Sequence, residues 1–231
     1  MNYESLKNRY SKYYCDLQYS NGNGMFSRFF HTQMERDLHF ESFEYVLEVG
    51  AGSGEHFEYV KHQFNHYIIS DLVLPNLSST LKHMVSLRNS KAPVIQIEAQ
   101  DAQRLKYADS SFNRVIMTCL LHHVNEPLEV LTEARRVISN GGLISIYLPS
   151  DPGILYRFAQ RFISTQSFKK YFEPGEIAFL RACEHRNHVG SLLGMIAGVF
   201  EHDIVKKKTF PRIGFGWNTT LFQVLHIRVS K

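Results

Sequence analysis

The stretch VLEVGAGSGEH, residues 46–56, decides the fold. It begins as a short apolar run typical of a buried strand, and three glycines at alternating positions follow: Gly50, Gly52 and Gly54. Such glycines permit a tight turn and let backbone amides approach a ligand closely. An ordinary turn between a strand and a helix seldom uses three glycines. The pattern therefore predicts a strand, a ligand-binding loop and a helix opened by residues 55–59.

An acidic residue at the end of the next apolar run supports this interpretation. Asp71 follows Gly50 by 21 residues, and about 20 is the offset of a ribose-binding carboxylate in nucleotide-binding βαβ units. Glu55 stands where a dinucleotide fingerprint requires its last glycine, which disfavours a nicotinamide-dependent oxidoreductase. Glu48, just before the loop, suits a cationic amino group better than a pyrophosphate.

Outside this stretch, short apolar runs alternate with amphipathic segments, which predicts a mainly parallel sheet covered by helices. We expect an α/β fold, a Rossmann-like doubly wound sheet closed by an antiparallel C-terminal hairpin. A helical lid is expected from the N-terminus and from the segment after strand five. A helix over 127–139 should end at Asn140-Gly141-Gly142, and another should follow Pro174-Gly175 and end near Phe200. The predicted strands are 45–49, 67–69, 94–97, 114–119, 143–148, 204–210 and 221–229.

Length and composition indicate a single domain, residues 1–231, of four parts. These are an N-terminal helical cap of two helices around a turn at 20–24 (1–44), a cofactor-binding core (45–150), an acceptor-pocket insertion with the last helix (151–200) and a closing hairpin (201–231).

Charge, apolar stretches and cysteines limit location and partners. Lysine and arginine exceed the acidic residues by only 26 to 22, so no nucleic-acid partner is expected. The longest uncharged apolar stretch, 191–200, is too short to span a membrane. Three widely spaced cysteines without a CxxC pair, together with the absence of an apolar secretory core at the N-terminus, indicate a reducing, cytoplasmic location.

Four ordered blocks resemble one known family. They are VLEVGAGSGEH (46–56), IISDL (68–72), AQDAQRLKYADSSFNRVIM (99–117) and LLHHV (120–124). Together they resemble the class I S-adenosylmethionine-dependent methyltransferases, specifically their small-molecule, methyltransferase-11-like branch. The resemblance covers about residues 45–150, and it departs from the family pattern at Asn113, where aspartate is usual.

The resemblance implies S-adenosyl-L-methionine as the cofactor and S-adenosyl-L-homocysteine as the product. It implies that the loop cradles the methionine moiety and that Glu48 holds both the loop and the amino group. The loop residues to which this role is carried over are Gly50, Ala51, Gly52 and Gly54.

The same resemblance assigns residues to the ribose and adenine parts of the cofactor. Asp71 would bind the ribose hydroxyls, and Leu72 would pack on adenine. Asp101 and Ala102 would address the adenine edge, while Cys119 would lie beside the cofactor as an inert, buried thiol.

Methyl transfer to a hydroxyl benefits from a base, and histidine has a suitable pKa. His122 and His123 follow strand four at the edge of the sheet where ligands bind, although in many relatives this pair is architectural. His185 belongs to a polar cluster, 184–188, for which a capped helix start is the default interpretation, although the cluster lies where the family builds its acceptor pocket. His185 and His188 would share a helix face if that helix started early. Asp151 follows strand five. Three roles stay open for it: a base, a residue that orients a histidine, or a turn residue.

The metal prediction is negative. His185, His188 and a carboxylate could converge, but no HxxxH-Glu pattern or cysteine pair is present, so no metal site is expected.

The acceptor is predicted as a small molecule. Residues 119–122 lack the Asn/Asp-Pro-Pro-aromatic motif of nucleobase amino methyltransferases. Aromatic segments at 10–14, 26–30 and 156–172 would form a lid, and three arginines could bind an anionic group: Arg157, Arg161 and Arg181. A hydroxyl of a sugar or nucleotide-linked sugar is the preferred acceptor. N- or C-methylation of another metabolite, and a non-catalytic S-adenosylmethionine-binding partner protein, stay open, as does the oligomeric state.

Overall fold

Seven strands form one sheet in the computed structural model, which describes residues 2–19, 21–74, 93–164, 168–212 and 215–231. The strands are β1 (Ser42–Val49), β2 (Gln63–Asp71), β3 (Val94–Ala99), β4 (Phe112–Thr118), β5 (Ile138–Pro149), β6 (Ile204–Phe210) and β7 (Phe222–Arg228). Their order across the sheet is β3-β2-β1-β4-β5-β7-β6. β3 to β5 pair in parallel, whereas β7 runs antiparallel to both β5 and β6. The predicted α/β fold with an antiparallel hairpin is confirmed.

Six α-helices lie in the described part of the chain. They are α1 (Tyr3–Tyr19), α2 (Asn21–Glu35), α3 (Pro127–Val137), α4 (Ile154–Ala159), α5 (Pro174–Glu184) and α6 (Val189–Val199). A π-turn, Gln160–Ser164, continues α4, and 3-10 turns occupy Glu55–Tyr59 and Trp217–Thr219. None of these helices is long and apolar enough to cross a bilayer.

Several predicted boundaries differ from the structure, and a 3-10 turn at Glu55–Tyr59 replaces the helix predicted to open there. The helix predicted to end at Asn140 ends at Val137, and β5 begins at the next residue. Gly141, with φ +72°, lies instead where β5 shifts its register against β4. A glycine inside a strand that bulges gives the same local signal as a helix stop.

The second difference concerns the segment after Pro174-Gly175. Two helices, α5 and α6, replace the single helix ending near Phe200, and residues 185–188 connect them. The predicted turn at 20–24 is also replaced in part, because α2 already begins at Asn21. Ser20 and the predicted connection residues 213–214 lie outside the described residues.

The two faces of the sheet are covered differently. On one, α3 and α6 contribute apolar residues such as Leu131 and Ile196 to the larger core. On the other, α2 packs Phe30 and Met34 among the aromatic side chains of the second core. Apolar burial at about 25 cal/mol per Å² is the main stabilising contribution on both faces.

A buried ion pair joins α2 to the sheet. The Arg114 guanidinium in β4 donates to Glu35 in α2, with 3.1 Å between Nη1 and Oε2, and both side chains are fully buried. His56 Nε2 lies 3.0 Å from the same carboxylate. Burial alone raises the pKa of Glu35, but the Arg114 charge and the His56 contact hold it well below its usual value. The pair fixes the N-terminal cap against the centre of the sheet.

The predicted lid has a core of its own. Leu6 and Leu17 of α1 pack with Phe168, Ile177 and Leu180. Tyr13 and Tyr171 stack at 4.0 Å between ring centroids. The N-terminal helix and the insertion after β5 therefore form one packed layer above the edge of the sheet.

β6 is an edge strand, because β7 is its sole neighbour in the sheet that the described residues form. It carries Lys206, Lys207 and Lys208, and the last of these pairs with Asp37.

Candidate active site

A cavity of about 580 Å³ opens at the carboxyl ends of the parallel strands. Parallel α/β sheets bind ligands at this edge. Its wall includes the loop after β1, the residues after β4, and side chains from α1, α2 and α5. The volume lies within the range of small-molecule sites. Two parts of the wall contain residues that the sequence predicts for cofactor binding and catalysis: the glycine loop (residues 50–54) and the histidine cluster (His122, His123 and His185).

Backbone geometry makes glycine necessary in the loop. Gly50, Gly52 and Gly54 have φ of +68°, +58° and +79°, a region that side chains disfavour. A Cβ on Gly50 would also lie 2.5 Å from Leu120 Cδ1. Ala51 N donates to Ser70 O at 2.9 Å, which ties the loop to β2. Gly50, Ala51 and Gly52 line the cavity.

Glu48 lies beneath the loop and is fully buried. Its Oε2 accepts from the Tyr67 hydroxyl at 2.8 Å, while Oε1 is buried and has no hydrogen-bond partner among the described residues. Burial raises the pKa of this carboxyl. A buried acceptor without a donor carries an energetic cost that a bound donor would remove. Glu48 is not among the residues that line the cavity, so its contact with the amino group of the cofactor stays a prediction.

Asp71 ends β2 at the cavity wall. Its Oδ2 accepts from Gly52 N at 2.8 Å and its Oδ1 from Leu72 N at 2.7 Å. The carboxylate therefore orders the glycine loop, and its ribose role stays a prediction. Leu72 is 70% exposed beside the same edge, and its adenine contact is likewise a prediction.

The remaining predicted cofactor residues lie on neighbouring loops. Asp101 Oδ1 accepts from Gln103 N at 2.9 Å, so this carboxylate caps its own turn, and Ala102 packs against the larger core. Cys119 lines the cavity at the end of β4 with φ +53°. Burial raises the pKa of its thiol to about 12, which keeps it protonated and unreactive.

Three imidazoles converge on another part of the wall. The ring centroid of His122 lies 4.0 Å from that of His123 and 4.9 Å from that of His185. The rings of His123 and His185 are 5.1 Å apart. All three line the cavity.

Asp151 orients one of these rings. Its Oδ2 lies 2.6 Å from His185 Nδ1, and both side chains are about three-quarters buried. A carboxylate on Nδ1 holds the proton there, leaves Nε2 with a lone pair, and stabilises the ring when it becomes charged. Of the roles that the sequence left open for Asp151, the structure shows this contact.

Main-chain contacts bring His185 to the other two histidines. The connection 185–188 folds back on the turn after β4, where Arg186 N and Asn187 N donate to His122 O at 3.0 and 3.3 Å. The Asn187 amide donates to Leu121 O and Val124 O. Val189 N donates to Asp151 O at 3.1 Å. Residues distant in sequence are thus held side by side.

The surroundings keep two of the rings neutral. Burial is the largest cause that lowers the pKa of His122 well below its usual value, and His123 and His185 add to it. Burial is also the largest cause that lowers the pKa of His123, to about 4, and His185 adds to it. Both rings therefore offer lone pairs at neutral pH, and neither is a cation.

His188 does not join the cluster. Its Nδ1 accepts from Gly190 N at 2.9 Å and caps α6, and its ring packs on the edge of Trp217. The helix begins after His188, so the predicted face shared by His185 and His188 does not form.

The residues that line the cavity differ in part from those predicted for the lid and for the anion site. Of the three predicted arginines, Arg181 is the one in the described lining, and its guanidinium lies over the Phe168 ring. The sequence missed Lys7 and His31, which reach the wall from α1 and α2. The sequence predicted their helices only as an N-terminal helical cap, and no local motif indicates that either side chain reaches the cavity.

The cofactor part of this site is matched by a known family model. Residues 47–146, from β1 into β5, match the model described as "Methyltransferase domain". The match lies within this segment, and it confirms the predicted resemblance to the class I S-adenosylmethionine-dependent methyltransferases. S-adenosylmethionine is the cofactor of this class.

A curated relative is the demethylmenaquinone methyltransferase of Renibacterium salmoninarum. The two are 34% identical over 107 residues, which cover 46% of this chain and 42% of the relative. The chain thus matches less than half of that relative's length.

Solved structures share the fold at low identity. A SAM-dependent methyltransferase from Thermotoga maritima superposes with a TM-score of 0.55 and 16% identity, covering 98% of this chain and 97% of that one. Phosphoethanolamine N-methyltransferase 2 of Haemonchus contortus, solved with S-adenosyl-L-methionine, gives a TM-score of 0.54 at 13% identity, covering 83% of this chain and 50% of that one.

Proposed function

We propose that the protein transfers a methyl group from S-adenosylmethionine to a hydroxyl oxygen of a small polar acceptor, with His185 as the base and Asp151 as the residue that orients it. The observation that carries the proposal is the 2.6 Å contact between His185 Nδ1 and Asp151 Oδ2 in the wall of the cavity that the glycine loop also lines. His122 and His123 complete the polar wall on which the acceptor would lie.

Each part of the site has a task in this reaction. When bound, the cofactor supplies a methyl group on a positively charged sulfur that leaves as a neutral thioether. The glycine loop, Glu48 and Asp71 hold that cofactor, and the lid excludes water. His185 Nε2 takes the hydroxyl proton as the new bond forms, and Asp151 stabilises the charged ring.

A sugar or a nucleotide-linked sugar is the acceptor class that we propose. Lys7 and Arg181 supply two cationic side chains in the cavity wall, and Tyr10, Ser11 and Gln160 add polar groups. Cations of this kind bind phosphate oxygens, and the hydroxyl and amide groups suit a polyol.

C-methylation of a phenolic ring is the second candidate, and the demethylmenaquinone relative favours it. His185 would then deprotonate a phenolic hydroxyl, and the adjacent ring carbon would bond to the methyl group as the sulfur–methyl bond breaks. Loss of the proton from that carbon would restore the aromatic ring. The same base serves both reactions, so the product decides between them.

The test is an acceptor screen that detects S-adenosylhomocysteine. Purified protein is incubated with S-adenosylmethionine and with panels of sugars, nucleotide sugars and phenols, and the methylated atom is located by NMR. We expect turnover with one panel in the native protein and a loss of at least about 100-fold in His185→Ala. His202→Ala, at an exposed position, is the matched control. Turnover that survives in His185→Ala would contradict the assignment of the base.

A further inference from the structure

The histidine cluster contains more imidazoles than one proton transfer requires. A single base needs one ring, yet one ring nitrogen from each of His122, His123 and His185 lies within 4.8 Å of the other two. The three residues come from two distant segments that main-chain hydrogen bonds lock together. The arrangement calls for an explanation beyond a base and its carboxylate.

Two of the rings are oriented as metal ligands are. His185 Nδ1 contacts the Asp151 carboxylate at 2.6 Å, and His123 Nδ1 contacts Glu184 O at 3.0 Å. An oxygen acceptor on Nδ1 fixes the proton there and leaves the Nε2 lone pair free to bind a cation. Histidines that bind metals almost always have such a carboxylate or carbonyl behind them.

The third ring has an unsatisfied nitrogen. His122 is 4% exposed, and its Nδ1 is buried with no hydrogen-bond partner in the described part of the chain. A buried polar atom without a partner is rare in folded proteins. Coordination of a metal ion by Nδ1 would give this atom a partner and would compensate for its burial.

We propose that His122, His123 and His185 bind one divalent transition-metal ion of the zinc class, with an open coordination position toward the cavity. Imidazole suits zinc, cobalt and nickel, whereas magnesium and calcium prefer oxygen ligands. Zinc–nitrogen bonds of about 2.0–2.1 Å in tetrahedral geometry separate two nitrogens by about 3.4 Å. Ring nitrogens that lie as much as 4.8 Å apart must therefore approach one another by up to about 1.4 Å on binding.

Ion binding and base catalysis exclude one another at His185, because a single Nε2 lone pair cannot take a proton and a metal ion together. This consequence rests on the proposed function, whereas the ion site itself does not. Protein loaded with the ion should transfer methyl groups more slowly, and a chelator should restore the rate.

Direct binding tests the site without any acceptor. Protein prepared without a polyhistidine tag is titrated with Co²⁺, and the visible absorption of nitrogen-bound cobalt is recorded. Zinc content is measured after dialysis against Zn²⁺. We expect one ion per chain and at least about tenfold weaker binding in His123→Ala and Asp151→Asn. His39→Ala and His202→Ala, at exposed positions, serve as controls, and thermal unfolding shows whether each variant is folded.

The outcomes separate this site from the proposed function. Absence of a cobalt band, or a band equally strong in folded His123→Ala and His185→Ala, would overturn the ion site. One bound ion that leaves methyl transfer unchanged would support the site and refute His185 as the base. One bound ion without methyl transfer to any acceptor would support the site and refute the proposed function.

Discussion

The glycine loop and the histidine cluster line the same cavity but are built in different ways. The loop is a continuous segment whose shape depends on positive φ at Gly50, Gly52 and Gly54. The cluster, together with Asp151 behind His185, combines side chains from the turns after β4 and β5 and from the end of α5. One part is therefore a property of the local backbone, and the other exists only when the whole fold forms.

This difference indicates how the two parts fail. A change in the loop should weaken cofactor binding, whereas a change in the cluster should leave the cofactor bound and slow the reaction. The comparison can be tested from either part.

The largest expected effect lies in the cluster. Asp151→Asn removes the charge that stabilises protonated His185, and turnover with the acceptor should fall by about 10² to 10⁴. Cofactor binding, measured as the rise in melting temperature with S-adenosylhomocysteine, should not change. A variant that lost this rise would show that the two parts are coupled.

The loop should respond in the opposite sense. Gly50→Ala places a Cβ 2.5 Å from Leu120 Cδ1 at a φ of +68°, and left-handed backbone costs other residues about 1–2 kcal/mol. We expect the dissociation constant of S-adenosylmethionine, measured by calorimetry, to rise at least about tenfold. Gly194→Ala is the control, because a Cβ there meets no atom within 4 Å. Equal affinities in the two variants would contradict the role of the loop.

We also expect the contributions of His122 and Glu48 to the free energy of unfolding to change in opposite directions as the pH is lowered. Burial lowers the pKa of His122 in the folded protein. Below about pH 6.5 the His122 ring therefore binds a proton in the unfolded chain but stays neutral in the native state. The free energy of unfolding then decreases as the pH is lowered, by up to about 1.4 kcal/mol per pH unit. Burial raises the pKa of Glu48, so the native carboxyl holds its proton to higher pH than the unfolded chain. Its stabilisation is complete below about pH 4.3 and is lost as the pH rises through the native value.

Urea unfolding between about pH 5 and pH 7.5 separates these contributions. His122→Asn should flatten the loss of stability in acid, and Glu48→Gln should steepen it. The slopes are compared because each substitution also changes packing. His202→Asn, at an exposed position, should leave the slope unchanged. Changes of the same sign in the first two variants would contradict the opposite environments of the two side chains.

The smallest expected effect concerns the carboxylate behind the loop. Asp71→Asn keeps one oxygen acceptor but removes the negative charge and the second oxygen. The native carboxylate accepts hydrogen bonds from Gly52 N and Leu72 N. A hydrogen bond of this kind contributes about 0.5–1.5 kcal/mol, so cofactor affinity should fall about three- to tenfold. Calorimetry with S-adenosylmethionine and S-adenosylhomocysteine checks this. A loss larger than that of Gly50→Ala would place the main cofactor contact on Asp71.

The sequence predicted the fold where local chemistry determines it. All seven strands were predicted within five residues of their bounds, because short apolar runs and flanking turns leave a local signal. The glycine loop was predicted for the same reason. The exception, Gly141, failed because a bulge and a helix end both use glycine at positive φ.

Contacts between distant residues left no such signal. His122, His123, Asp151 and His185 were each proposed from the sequence, but their grouping depends on the connection 185–188 folding onto the turn after β4. The buried pair of Glu35 and Arg114 was not predicted at all, since 79 positions separate its members. A lone arginine within the apolar run 112–118 was its only trace.

The lysines of the edge strand β6 affect how molecules meet one another. An unpaired strand edge is a template on which a second chain can add its own strand, and such pairing leads to aggregation. Ile204 and Val205 are exposed at the start of β6 and would favour it. Lys206 and Lys207 place like charges on this edge, whereas Lys208 pairs with Asp37. Repulsion between two such edges keeps the sheet of one molecule from continuing into the next, so it protects a concentrated solution of the protein against fibril-like association.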